Sequence, residues 1–146
     1  MLNLDNLLVC PTDKSRLKAD SEKYSCNTHN YPVRNGIPSF LTEDLGEVKM
    51  VETQTYSHRA KDFDEDIEKI LHMGRPEFTK PLRAQGKDAF LLEIACGSAA
   101  HGLNMLKDGY KVIESDIAHG TVEKVKYFAK KLGVAENGAF MVIDAE

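Results

Sequence analysis

No apolar run in this chain approaches the roughly 20 residues that a membrane-spanning helix needs, so no membrane helix is expected. The N-terminal stretch Met1-Leu-Asn-Leu-Asp-Asn-Leu-Leu-Val9 has no basic residues before its apolar ones and no small-residue cleavage pattern. It does not read as a secretory signal. Cysteine is scarce and odd in number, at positions 10, 26 and 96. Three thiols make no even disulfide framework, which fits a reducing, cytoplasmic setting. An excess of basic charge is also missing. Nineteen Lys and Arg stand against 23 Asp and Glu, a net charge of −4, whereas nucleic-acid binding usually shows as a basic face. The balance lends no support to a polyanionic partner. The remaining composition, 42% hydrophobic and 29% charged over 146 residues, suits one ordinary globular domain or two small ones.

What the chain does have is a set of three apolar runs, each closing on an acid. Phe90-Leu-Leu-Glu93 runs into a tight small-residue loop (Ala95, Gly97, Ala99) and then a helical pattern. Tyr110-Lys-Val-Ile-Glu-Ser-Asp116 brings a second acid 23 positions after Glu93, and Ala139-Phe-Met-Val-Ile-Asp144 a third. Strands alternating with helices build open parallel sheets, and such sheets bind ligands beyond the carboxyl ends of their strands. A carboxylate there can accept hydrogen bonds from both hydroxyls of a ribose. Asp116 is placed for that role and Asp144 for accepting from an adenine amino group. Ile117 would line the base, and Gly97 would let a ligand approach the backbone closely.

At these residues the chain resembles the class I S-adenosylmethionine-dependent methyltransferases. Glu93-Ile-Ala-Cys-Gly-Ser-Ala99 is similar to their first motif, Ser115-Asp116-Ile117-Ala118 to their second-strand motif, and Asp144-Ala145-Glu146 to the acid-Ala-Glu after strand three. The resemblance covers roughly residues 85 to 146. It implies adenosylmethionine as cofactor, held by Glu93, Ala95, Gly97, Asp116, Ile117, Asp144 and Ala145, with a methyl acceptor it does not name. Ala95 and Ala99 depart from the family's glycines. Two other readings stand beside it. Ala95-x-Gly97-x-x-Ala100 is a loose dinucleotide loop, although Glu93 would repel the pyrophosphate such a loop receives. A Rossmann-like fold without a ligand is the third.

A separate unit opens the chain. Two knuckles, Cys10-x-x-Asp13 and Cys26-x-x-His29, precede Tyr31-Pro-Val-Arg34-Asn-Gly-Ile-Pro38, in which Asn35-Gly36 is a turn dipeptide. The Cys-Pro knuckle, the second knuckle and this run resemble the small zinc-ribbon-like family that includes the tRNA-methyltransferase activator subunit. That resemblance implies a structural metal held by Cys10, Asp13, Cys26 and His29, with an aspartate where the family often has cysteine. The alternative is a degenerate ribbon held by its hairpin and small core. It also raises a second function, a ribbon that docks on a protein partner and activates it.

Between the two units, Tyr56, Ala60, Phe63, Ile67, Ile70 and Leu71 recur at helical spacing and predict one amphipathic helix, its other face acidic from Asp62 to Glu68. Gly74-Arg-Pro76 and Lys80-Pro81 are expected to break it before a short second helix. Tyr56-Ser-His-Arg-Ala-Lys-Asp-Phe-Asp64 resembles the Tyr-x-x-x-Ala…Tyr-Asp segment that caps the cofactor in many small-molecule methyltransferases, which would bring Tyr56 and Arg59 to the ligand or substrate; a plain packing helix is the simpler reading. Ser98–Lys107 and Thr121–Leu132 read as the helices after strands one and two, with Thr121 as N-cap and Gly133 as C-cap. His101 and His119 fall near the crevice rim, and Cys96 reads as a small loop residue rather than a nucleophile.

The expected architecture is α/β: an incomplete Rossmann-like methyltransferase sheet of three strands with a small N-terminal β-rich ribbon domain. Residues 1–44 form the ribbon, 45–84 a helical linker or cap, and 85–146 the N-terminal half of the methyltransferase domain. Strand one is expected to present an unprotected apolar edge. The sequence reads as the N-terminal part of a longer enzyme, unable by itself to complete a methyl transfer. A small-molecule acceptor fits the acidic balance better than RNA.

Overall fold

A computed structural model describes residues 2, 4, 7–42, 45–63 and 66–145. Asp64 and Glu65 of the predicted acidic face, Glu146 of the third motif, Glu43 and Asp44 at the ribbon boundary, and part of the N-terminal stretch lie outside the described residues. The chain is mixed α/β, with a small antiparallel sheet followed by a parallel one. The first sheet has four short strands in the order β1-β2-β3-β4: Lys18–Ala19, Lys23–Ser25, Asn30–Arg34 and Ile37–Pro38. The predicted Asn35-Gly36 turn joins β3 to β4, both residues at positive φ (53° and 67°), the conformation such turns require.

The second sheet is parallel and ordered β5-β6-β7, from Phe90–Glu93, Lys111–Asp116 and Gly138–Val142. Each apolar run became a strand because its alternating side chains find cover on one face or both. Helices α4 (Ala100–Lys107) and α5 (His119–Lys131) are the crossovers. Their Leu103, Leu106, Val122, Val125 and Phe128 bury against Leu91, Val112, Phe140 and Val142. On the opposite face Ala139 and Met141 pack against Leu4, Cys10, Leu17, Tyr31 and Phe40 of the ribbon. The two sheets therefore share a core, and β7 is buried along its whole length.

Hydrogen bonds tie the same junction. Ser39 bridges Val142 in parallel, and the Phe40 N–H donates to the Val142 carbonyl at 2.8 Å. Lys126 of α5 donates from Nζ to the carbonyls of Asn35 and Gly36 at 2.8 and 2.9 Å. Burial, with Lys130 nearby, pushes its ammonium below the usual lysine range, and Glu123 opposes this. The outer strand is β5. Its Phe90 and Leu92 are 43% and 56% exposed.

The helical region differs from the single predicted helix. Observed instead are α1 (Gly46–Arg59), a 3-10 turn over Ala60–Asp62 and α2 (Ile67–Met73). Like charges four apart, as Asp62 and Asp66 would be, disfavour a continuous helix, and Asp66 is spent as a cap, its side chain accepting from the Glu68 N–H at 3.1 Å. The break lets Ile70 and Leu71 join the main core with α4 while α1 crosses α5. Helix α3 (Pro76–Arg83) starts at Pro76 and runs through Pro81. The carbonyl that Pro81 leaves unpaired is that of Glu77, an exposed residue. Nor is Thr121 a cap: α5 begins two residues earlier, with Ala118 as N-cap, and the Thr121 hydroxyl donates to the Tyr56 carbonyl at 3.4 Å.

Candidate functional site

The loop after β5 is built on a left-handed alternation. Ala95, Gly97 and Ala99 have φ of 53°, 52° and 53°, a conformation that costs an alanine roughly 1–2 kcal/mol and glycine almost nothing. It is held by the Cys96 N–H donating to the Ser115 carbonyl at 2.9 Å and the Ala99 N–H to the Cys96 carbonyl at 2.7 Å. Asp116, at the tip of β6, clamps it: one carboxylate oxygen accepts from the Gly97 N–H at 3.1 Å, the other from the Ala118 N–H at 3.0 Å.

Beyond these strand tips lies a cavity of about 920 Å³. Ala95, Gly97, Asp116, Ile117, Asp144 and Ala145 all line it. Its roof comes from the helical region, with Lys49, Glu52, Tyr56 and Arg59 of α1, then Asp62, Phe63, Lys69, Ile70 and Met73. The Arg59 guanidinium rests 5.6 Å from the centre of the Tyr56 ring. Lys49 Nζ donates to Asp144 at 2.6 Å. No motif flagged Lys49, because the apolar periodicity that marks the helix starts only at Tyr56.

Glu93 is not among the lining residues. Its carboxylate accepts from the Gly102 N–H at 2.8 Å and lies 3.5 Å from His101 Nδ1, on the α4 side of the sheet. Beside it is Glu114, fully buried, with neither carboxyl oxygen hydrogen-bonded among the described residues. Burial first, then the charge of Glu93, raises its pKa well above the ordinary carboxyl value. The sequence did carry a signal for this group: Val112 and Glu114 alternate on one face, so an inward Val112 implies an inward Glu114.

Neither His101 nor His119 lines the cavity. His101 packs edge-on to Phe78, and His119 Nδ1 is 3.8 Å from Glu123. Cys96 is buried, and burial together with Glu114, Asp116 and Glu93 pushes its thiol far above the usual range. A thiol held protonated in this way is a poor nucleophile.

In the ribbon, the donor atoms of Cys10, Asp13, Cys26 and His29 all lie within 4.8 Å of one another. His29 Nδ1 is 3.6 Å from each sulfur and 3.4 Å from Asp13, and Cys26 Sγ is 3.6 Å from Asp13. Tetrahedral zinc with bonds of about 2.0–2.3 Å has ligand-to-ligand edges of roughly 3.3–3.8 Å. Four of the six donor-to-donor distances fall in that range, and the whole set lies within 4.8 Å. Two of these ligands, Cys26 and Asp13, are also biased toward their anionic forms. Burial opposes ionisation of Cys26, but hydrogen bonds from Thr28, Ser15 and His29 outweigh it and hold the thiol at about 6. Hydrogen bonds from Ser15, then Thr28 and Cys10, keep Asp13 well below the usual carboxylate range. The Tyr31 hydroxyl sits 3.1 Å from Cys10 Sγ and fixes it from behind.

With the geometry in place, the chain can be compared with known proteins. Over 57 residues it is 37% identical to a UPF0434 protein of Teredinibacter turnerae, a match that takes in 36% of this chain and 89% of that protein. Through that N-terminal segment the chain belongs to the UPF0434 family. Among solved structures, the X-ray structure of YjhP from E. coli aligns with a TM-score of 0.44 and 22% identity, covering 62% of this chain. The chain spans 36% of the length of that structure. No family model matches. Among the described residues, no helix is long and apolar enough to cross a membrane.

Proposed function

We propose that the parallel sheet and its helical roof form the S-adenosylmethionine-binding part of a methyltransferase. The observation that carries this reading is Asp116, locked by two backbone N–H groups at a strand tip and facing a cavity that Gly97 and Asp144 also line. Bound adenosylmethionine supplies a methyl group on a sulfonium, open to in-line displacement by an acceptor nucleophile. The chain's own contribution is positioning, which accounts for much of the barrier in such a transfer. Asp116 accepts from the ribose hydroxyls, Ile117 covers the base, and the backbone at Gly97 admits the methionine portion. Tyr56, Phe63, Ile70 and Met73 supply the apolar part of the roof. Glu93 holds the first turn of α4 through Gly102 and supports the loop from behind rather than touching the ligand. Calorimetric titration is expected to show adenosylhomocysteine binding and no binding of NAD. The reverse result would transfer the site to dinucleotides.

The ribbon takes a different role. We infer that Cys10, Asp13, Cys26 and His29 hold a structural zinc ion, on the strength of their convergence within 4.8 Å and of four donor distances at tetrahedral edges. Its apolar side is occupied by β7 of its own chain, which favours an intramolecular brace over a module displayed to a partner. Purified chain is expected to carry one equivalent of zinc by mass spectrometry, and Cys26→Ser to lose nearly all of it. Metal-free protein that melts at an unchanged temperature when zinc is added would end this reading.

A further inference from the structure

The Lys49–Asp144 pair lines the cavity and joins two elements far apart in sequence. Lys49 lies in the first turn of α1, and Asp144 follows the tip of β7. The two groups are 2.6 Å apart and only 27% and 26% exposed, so neither charge is fully screened by solvent. Ile117, the residue proposed to cover a base, and Asp116, the residue proposed to hold a ribose, line the same cavity as this pair.

An aspartate alone accepts from any amino group and says nothing about the atom beside that group. An ammonium held against the carboxylate changes this, because the pair presents a donor next to an acceptor. The base edge of adenine has the complementary pattern, an amino donor next to an unprotonated ring nitrogen. We propose that Lys49 is a specificity residue for the adenosyl ligand, donating to ring nitrogen N1 while Asp144 accepts from the 6-amino group. This rests on the methyltransferase reading. A carboxylate offers about four lone-pair positions and an ammonium three donors, so the ion pair persists as the base docks on it. The helical roof thereby becomes part of the recognition site: α1 carries a residue that reads the base, and its placement depends on ligand and strand tip together.

The test is a titration of the full chain with adenosylhomocysteine and with its 1-deaza analogue, in which a carbon replaces N1. The wild-type chain is expected to bind the analogue about 10-fold more weakly, the loss of one charge-assisted hydrogen bond. Lys49→Met is expected to weaken adenosylhomocysteine about 10-fold and leave the analogue unchanged. Lys49→Arg should restore the preference. Equal binding of both ligands by the wild-type chain, or a Lys49→Met variant that weakens both equally, overturns the proposal and leaves the methyltransferase reading standing. A chain that binds neither ligand overturns both.

Discussion

Replacing Asp116 by alanine is expected to lower affinity for adenosylhomocysteine by about 100-fold or more. Its carboxylate orders the loop through the N–H groups of Gly97 and Ala118, at 3.1 and 3.0 Å, and on the proposed reading it also accepts from the ribose hydroxyls. Hydrogen bonds to a charged group contribute roughly 1.5–3 kcal/mol each, and every 1.4 kcal/mol is about a factor of ten in binding. Losing two ligand bonds accounts for the expected fold-change. The disordered loop adds to it, because Ala95 and Ala99 sit at positive φ and relax elsewhere once the clamp is gone. Asp116→Asn separates the two contributions: it keeps the shape and one acceptor, and about a 10-fold loss is expected. A folded Asp116→Ala chain with wild-type affinity, established by calorimetry beside a melting curve, would falsify the ribose assignment.

The second large effect concerns stability. Glu114 is buried without a hydrogen-bond partner among the described residues, and its raised pKa means the folded chain holds a proton that the unfolded chain releases. The direction follows from linkage. Below the ordinary carboxyl value of 4.5, both states are protonated and the stabilising contribution is complete. As the pH rises above it, the unfolded state ionises first, and stability falls by up to about 1.4 kcal/mol per pH unit per proton. The fall ends once the folded-state value is passed. Since Glu93 lies beside it, the proton belongs to the pair. Glu114→Gln removes the titrating group and supplies an amide N–H that can donate to Glu93 in place of the carboxyl O–H. The variant is expected to be at least about 1 kcal/mol more stable at pH 8, a rise of several degrees in melting temperature, with a flatter pH profile. Equal slopes in variant and wild type between pH 5 and 8 would rule out Glu114 as the source.

These two acids show how unevenly the sequence discloses its structure. Asp116 was legible because it closes an apolar run and follows a small-residue loop at the spacing a β-α-β unit requires. Glu114 sits two positions earlier on the same strand, and its burial follows from its alternation with Val112. Its proximity to Glu93 does not, since register between parallel strands is set by packing and not by either strand alone. Boundaries in the helical region fared worse. Six apolar residues at helical spacing predicted one helix, yet the Asp66 cap and the separate packing of its two halves broke it.

By itself the sequence determined the local and periodic features: three strands ending in acids, the helices between them, the Asn35-Gly36 turn and the paired knuckles of the ribbon. Each is decided by spacing within a dozen residues, where side-chain direction follows directly from backbone period. Only the tertiary structure decided what meets across the chain. It laid the ribbon on the free face of β7, turned Glu93 away from the cavity toward Gly102 and brought Lys49 to Asp144, 95 residues on. Such contacts depend on how whole faces are buried against one another, and no local pattern encodes that.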